Sequence, residues 1–282
     1  MKFCVKLILP AIAIILFSYS AGSAVTFKSV LRVSDGRVIT FEEMVRELGR
    51  VDMVFVGEDH VKGRHHKAQL DVINALYGKR VPLAIGLEMF RAEDQKVLDL
   101  WVEGGLDTGV FIKTYYENWN FPWPLYRDIF MYSREKRLPM VGLNVPENIS
   151  RKVSAGGFKS LTPEEMKQLP PGISCDIDKK YMEFIKRAYE GHGGTEKSFL
   201  NFCEAQMVWD KTMAWHLIVY KKNNPTKTVV VLAGAGHSWK HGIPAQVKRG
   251  SQYRSSVILP VAANSVQRSK VSIKDADYVL LD

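Results

Sequence analysis

The chain has 282 residues, 46% of them apolar and 24% charged, with 39 Lys and Arg against 30 Asp and Glu for a formal charge of +9. An apolar share of that size excludes a disordered chain, and the length suits one large domain or one domain carrying a smaller insertion. The positive excess favours acidic ligands or anionic membrane surfaces, but the basic residues are scattered, and zinc-finger, helix-turn-helix and RNA-recognition signatures are absent, so no nucleic-acid partner is expected.

The chain begins with Lys2 and Lys6 around Cys4, an apolar run from Leu7 to Phe17, and small residues over Ser20 to Ala24. This is a signal-peptide pattern, with cleavage expected after Ala24. The rival reading is an uncleaved membrane anchor, for which the apolar run falls short of the ~20 residues a spanning helix needs. The expected product is exported, periplasmic or envelope-associated. It is not an evident lipoprotein, because Cys4 precedes the apolar run instead of ending it. Cys175 and Cys203 would remain after cleavage. One disulfide or two small core residues are both compatible with them.

Beyond residue 24, Thr26 to Val33 and Arg37 to Ile39 flank Asp35-Gly36, a hairpin signal. Thr40 and Glu43 form a capping box that opens a helix through Leu48. A strand over Val51 to Val56 leads into Gly57-Glu58-Asp59-His60, and a helix is expected from Gly63 to Tyr77 with Ala68, Val72, Ala75 and Leu76 on its apolar side. A strand over Leu83 to Leu87 runs into Glu88, and a helix follows over Ala92 to Val102. An aromatic segment, Tyr115 to Tyr132, is broken by Pro122 and Pro124, which open a helix to Lys136. Next comes a strand over Met140 to Leu143.

From about Ser150 to Tyr220 the pattern is helical, with a capped start at Thr162-Pro163 and helices over Asp178 to Tyr189 and Glu196 to Tyr220. Strands resume at Lys227 to Leu232, Ser255 to Leu259 and Asp277 to Leu281. Alternation of strands and helices predicts an α/β fold with a largely parallel sheet flanked by helices, and a smaller inserted helical subdomain. The expected division is a signal peptide at 1–24, an α/β domain at 25–149 and 221–282, and a helical subdomain at 150–220.

Three of the apolar strands run into a Gly-flanked acid or histidine: Glu58, Asp59 and His60; Glu88; and His237 after Gly234-Ala235-Gly236. Strands covered on both faces read as continuous apolar runs, and ligands of parallel sheets bind beyond the carboxyl ends of the strands. These residues are therefore expected on one pocket rim. A carboxylate beside an imidazole builds a general base or orients a metal ligand; equally, Glu58 and Asp59 would cap the next helix and Glu88 would bond a helix end. One of His65 and His66 is expected to face the same crevice, although the spacing matches no zinc motif. Gly-Ala-Gly lacks dinucleotide-binding spacing, and no GxSxG nucleophile pattern occurs. The aromatic segment, with Tyr115, Tyr116, Trp119, Phe121, Trp123, Tyr126 and Tyr132, suits a flat apolar ligand with a phenol donor or a packed aromatic core.

The ordered series GEDH, HHKAQL, GLEMF, W-x-x-x-W-x-x-Y, LNVP, QMVWDKTMA, GAGH and GIP, spanning about Val51 to Leu259, resembles the ChaN family of haem-binding proteins. That family lies in the wider superfamily of Tiki proteins and erythromycin-esterase-like enzymes. The resemblance implies export, haem as cofactor, a role in haem or iron uptake alongside outer-membrane uptake machinery, and a homodimer in which a tyrosine ligates each iron. Tyr126 fits the W-to-Y motif and is the first choice of ligand, with Tyr115 and Tyr116 as rivals. Arg127 or a crevice histidine, His65 or His66, would pair with the haem propionates. The superfamily also implies an alternative, a metal-dependent or histidine-based hydrolase using Glu58, His60, Glu88 and His237, closed by Gln206 and Asp210, with a divalent metal in one version.

Overall fold

The computed structural model describes residues 25–174, 179–189, 195–260 and 271–281. The expected signal peptide and Cys175 lie outside the described residues, while Cys203 is buried. One eight-stranded sheet organises the described chain. Its strands are β1 (Ser29–Arg32), β2 (Arg37–Thr40), β3 (Met53–Glu58), β4 (Leu83–Arg91), β5 (Met140–Asn144), β6 (Thr228–Gly234), β7 (Ser255–Pro260) and β8 (Tyr278–Leu281). Their order is β2-β1-β8-β7-β3-β6-β4-β5. From β8 to β5 every pairing is parallel, while β1 runs antiparallel to both β2 and β8.

The helices are α1 (Phe41–Leu48), α2 (Gly63–Gly78), α3 (Gln95–Glu103), α4 (Thr108–Asn118), α5 (Trp123–Lys136), α6 (Glu147–Gly156), α7 (Pro163–Met166), α8 (Lys179–Tyr189), α9 (Glu196–Asn223), α10 (Ala235–Ser238) and α11 (Ile243–Gly250). Local chemistry fixes several of their ends. The capping box at Thr40 forms as expected: the Thr40 hydroxyl accepts from Glu43 N and the Glu43 carboxylate accepts from Thr40 N. Such a cap contributes ~1 kcal/mol. The same device at Thr162 and Glu165 opens α7, and Gly104, at φ 82°, ends α3 in the left-handed conformation that glycine adopts without strain.

Alternation along the strands divides the core into two layers. Val54 and Val56 of β3, Leu83, Ile85 and Leu87 of β4, and Val230 and Leu232 of β6 pack against α1 to α5 on one face. Met53, Phe55, Val229 and Val231 face the other layer, where Met207, Met213, Ala214 and Leu217 of α9 meet Ile243 and Val247 of α11. Burial on both faces accounts for the unbroken apolar runs of β3 and β6. Helix α9 approaches closely at Gly86, where a Cβ would lie 3.1 Å from Leu217 Cδ2 and 3.0 Å from Leu143 Cδ1. A third cluster, formed by Val145, Ile149, Val153, Leu169, Ala205 and Val208, ties α6 to α9.

Strand ends run further than expected: β3 continues through Glu58 and β6 through Gly234, and the largest difference is in β4. β4 continues past Leu87 to Arg91, so Glu88 lies inside the strand. The pairing with β5 slips between Leu87 and Arg91, and Asn144 Nδ2 fills the gap by donating to the Glu88 carbonyl at 2.7 Å. Charge therefore did not terminate the strand, because its backbone remained satisfied. Among the described residues no helix is long and apolar enough to cross a membrane.

Candidate functional site

The strand order places β6 between β3 and β4, so the carboxyl ends of three strands distant in sequence stand side by side. Glu58 pairs in register with Gly234. Near the end of β3 the packing is tight at Gly57, where a Cβ would sit 2.7 Å from Leu259 Cδ2 and 3.3 Å from the Ala235 backbone. Because side chains alternate along a strand, Glu58 points to the α2 and α5 layer while Gly57 lies against α10.

Glu58 is the hub of the first half of the site, at 2% exposure. Its Oε1 accepts from the Tyr126 hydroxyl at 2.8 Å and contacts His60 Nδ1 at 2.7 Å, and its Oε2 meets His66 Nε2. Burial alone would raise the carboxyl pKa; the hydrogen bonds from His60 and His66 outweigh it and hold Glu58 down at about 2. Burial likewise opposes protonation of His60, yet Glu58 and the charge of Glu88 raise its pKa overall. The His60 ring is flanked by Trp119, at 5.0 Å edge-on, and Phe121, at 4.7 Å.

The second half is built on Glu88 and His237. Glu88 Oε2 accepts from Gly234 N at 2.6 Å, while Oε1 lies 3.7 Å from His237 Nε2. His237 Nδ1 contacts Asp210 Oδ1 of α9 at 2.7 Å, and Asp210 Oδ2 accepts from the Tyr181 hydroxyl at 2.8 Å. Burial would lower the His237 pKa, but Glu88 and Asp210 together lift it to about 9. Gly234 joins the halves, since a Cβ there would stand 2.9 Å from His60 Cε1 and 3.6 Å from Glu88 Oε2. The result is two histidine–carboxylate pairs facing one another across a glycine. Such pairs can hold an imidazole in a fixed orientation and stabilise its charged form. Among the described residues, no group of three or more His, Cys, Asp or Glu is arranged to hold a metal ion.

The structure thus brings Glu58, His60, Glu88 and His237 together, with Asp210 closing the site. His66 joins them, whereas the His65 ring turns back so that its Nδ1 accepts from Asp59 N at 2.9 Å. The tyrosines separate. Tyr126 and Tyr115 are fully buried; Tyr126 donates to Glu58, and Tyr115 donates to the Phe121 carbonyl at 2.8 Å. Burial holds both phenols above their usual range, the Glu58 charge adding to it. Tyr116 is 48% exposed, and its oxygen accepts from Trp123 N at 3.0 Å. Arg127 is exposed beside Asp128 at 2.9 Å.

Sequence reading passed over Trp215 and His216. These lie on α9 and line a slot of about 470 Å³ with Pro146, Leu169, Pro170 and Pro171, at the carboxyl ends of β4 and β5. The two rings meet edge-on at 5.0 Å. Burial pushes the His216 imidazole down to about 4, so it is neutral near pH 7. The available signal was a histidine and a tryptophan in an otherwise apolar helical stretch, next to a Pro-Pro-Gly turn that folds over them.

The model of the haem-binding uptake family, ChaN, of the Tiki superfamily matches residues 44–247. The solved structure of ChaN from Campylobacter jejuni, described with cofacial haem binding, is similar with a TM-score of 0.69 and 22% identity, over 89% of this chain and 95% of that one. An erythromycin esterase variant, EreC, in its open conformation gives a TM-score of 0.48 at 14% identity, over 77% of this chain and 72% of that one. A Bacillus cereus protein gives 0.48 at 13% identity, over 77% and 67%. The first likeness shows the fold; the other two carry no functional argument. No curated protein matches the chain.

Proposed function

We propose that this chain, which belongs to the haem-binding uptake (ChaN) family of the Tiki superfamily, binds haem and serves haem or iron acquisition. The observation that carries the reading is the slot at the carboxyl ends of β4 and β5. It combines proline and leucine walls and a tryptophan edge with the polar side chains of Glu93, Asn144, Gln168 and Thr212 and a neutral imidazole, His216, whose ring nitrogens have no hydrogen-bond partner among the described residues. An apolar wall suits a porphyrin face, and a neutral imidazole is a donor for haem iron. Bound haem would supply a ferric centre able to take a donor atom from the protein.

In this reading His216 is the first ligand candidate. The tyrosine ligation expected from the family rests on Tyr116, because the hydroxyls of Tyr126 and Tyr115 are committed to Glu58 and to the Phe121 carbonyl. Arg127 is the propionate partner proposed for the aromatic segment. The proposed setting is an exported homodimer in the periplasm or at the envelope, exchanging haem with outer-membrane uptake machinery. Haemin titration tests the function: a saturable Soret band is expected. His216→Ala should weaken it at least tenfold, whereas a selective loss in Tyr116→Phe, with disappearance of a tyrosinate charge-transfer band, would transfer the role to Tyr116. Absence of saturable binding by the unaltered chain would overturn the haem reading.

One observation favours a second reading: two histidine–carboxylate pairs, that of His237 buried and that of His60 partly buried, are more than a haem slot requires. We propose them as the site of histidine-based hydrolysis in the alternative. A panel of ester substrates should then reveal turnover that is lost in His60→Ala and His237→Ala, and equal background rates in all three proteins would refute it.

A further inference from the structure

The chain contains no Asp or Glu between Lys211 and Lys274, a stretch holding eleven Lys and Arg. The fold collects part of that excess in one place. A cleft of about 800 Å³ runs along α11 and is lined by Lys240, His241, Lys248, Arg254, Ile273 and Lys274. Three acids border it, and each has an internal partner. Asp277 accepts from Lys240 Nζ at 2.6 Å and from Val257 N at 2.9 Å. Asp275 accepts from Ser272 N and its hydroxyl and lies 3.6 Å from His241 Nε2. Asp52 lies 3.1 Å from Lys221 Nζ and accepts from Arg254 N at 2.9 Å.

Lys240 is thereby neutralised, but Lys248 and Lys274 have no carboxylate partner among the described residues. Arg254 reaches Asp52 only at 4.0 Å with its side chain 73% exposed. Lys248 and Arg249 sit on the last turn of α11, where they also complement the negative end of the helix dipole. That role does not extend to Arg254 or Lys274, which stand on loops. Between these cations Ile273 is 47% exposed, an apolar side chain that the fold leaves in water beside Lys274.

We propose that this cleft is a docking surface for a bilayer of anionic phospholipid, with Lys248, Arg254 and Lys274 meeting headgroup phosphates and Ile273 entering the interface. Charge complementarity selects the anionic partner. The exposed isoleucine selects a lipid surface over a soluble phosphate, since a dissolved anion gains nothing from an apolar neighbour. Attraction of this kind acts within a Debye length of the surface and weakens with salt. The inference stands apart from haem binding and is tested without haem.

The test is co-sedimentation of the purified protein with vesicles of phosphatidylcholine alone or mixed with phosphatidylglycerol, every variant carrying the same N-terminus. The protein should sediment with the anionic vesicles and be released by salt. The triple variant Lys248→Glu, Arg254→Glu, Lys274→Glu should lose at least roughly a hundredfold in partitioning, the loss expected from removing three cations at their usual worth near an anionic surface, before the added repulsion of the three carboxylates. A control of equal charge change, Lys159→Glu, Lys167→Glu, Lys197→Glu, should fall far less. Ile273→Ser should remove the fraction that resists salt. Arg254→Gln and Lys274→Gln, on exposed loops, give about fivefold each and cover the case in which the triple variant fails to fold. Equal losses in cleft and control variants, binding that survives removal of the three cations, or no preference for anionic vesicles would overturn the proposal. So would cleft-dependent binding of inorganic polyphosphate by a protein that ignores vesicles, which would make the ligand a soluble anion.

Discussion

Replacement of Glu58 by Gln probes the hub of the site with almost no change of shape. In the native protein this buried carboxylate is engaged by Tyr126, His60 and His66. Its pKa is held near 2 against an ordinary 4.5, a difference worth ~3 kcal/mol of stability at neutral pH. A carboxamide accepts through one atom only and turns its NH2 toward a donor, so Glu58→Gln should lose about that amount, within the range for breaking a buried ion pair. The sign with pH follows: a carboxyl whose folded pKa is depressed contributes stability above its unfolded pKa and loses it as pH falls through the folded value. Urea unfolding of both proteins at a series of pH values should show a gap of ~3 kcal/mol at pH 7 that begins to close below about pH 4.5. A gap under ~1 kcal/mol, or one constant from pH 7 to pH 3, would refute the claim that Glu58 is stabilised as an anion by its histidines.

Gly234→Ala places a methyl 2.9 Å from His60 Cε1; overpacking should cost ~1–3 kcal/mol and displace His60, read as a lower melting temperature. Gly142→Ala meets the Arg91 carbonyl at 2.5 Å, whereas Gly78→Ala meets nothing within 4 Å; thermal melts should rank the first well below the native protein and the second at or slightly above it. His237 has its pKa raised to about 9, so its contribution is fully present below the unfolded value near 6.5 and lost as pH rises through 9. The stability gap between the native chain and His237→Gln should therefore shrink between pH 7 and pH 10 in denaturant titrations.

Much of the scaffold was legible because its signals are local. The continuous runs of β3 and β6, the capping boxes at Thr40 and Thr162, and the helix-opening Pro124 each act within a few residues. Convergence of Glu58, Glu88 and His237 was also legible, because all three follow apolar runs that only a two-sided sheet can bury. Three things were not. The continuation of β4 through Glu88 depends on Asn144 from another strand. The burial of Tyr126 depends on α5 lying across α2, with its ring 4.1 Å from His66; aromatic density says nothing about which ring faces solvent. The His216 slot depends on the Pro170-Pro171 turn folding back over α9, a contact between segments some 45 residues apart that no periodicity encodes.

The strand order has a consequence for how the chain folds. β3 and β4 follow one another in sequence, yet β6 lies between them, and the hydroxyl of Thr228 reaches the Val51 carbonyl across 177 residues. The central ladder cannot close until β6 arrives, so loop closure over most of the chain precedes any native pairing of β3 with a sheet neighbour; its other partner, β7, comes later still. Such non-local topology folds slowly, on the millisecond-to-second scale or longer. A chain truncated before Thr228 lacks both partners of β3 and would leave both edges of that apolar strand unpaired. Protection of the Val54 and Val230 amides from hydrogen exchange should accordingly appear together, late, and only in the full-length chain.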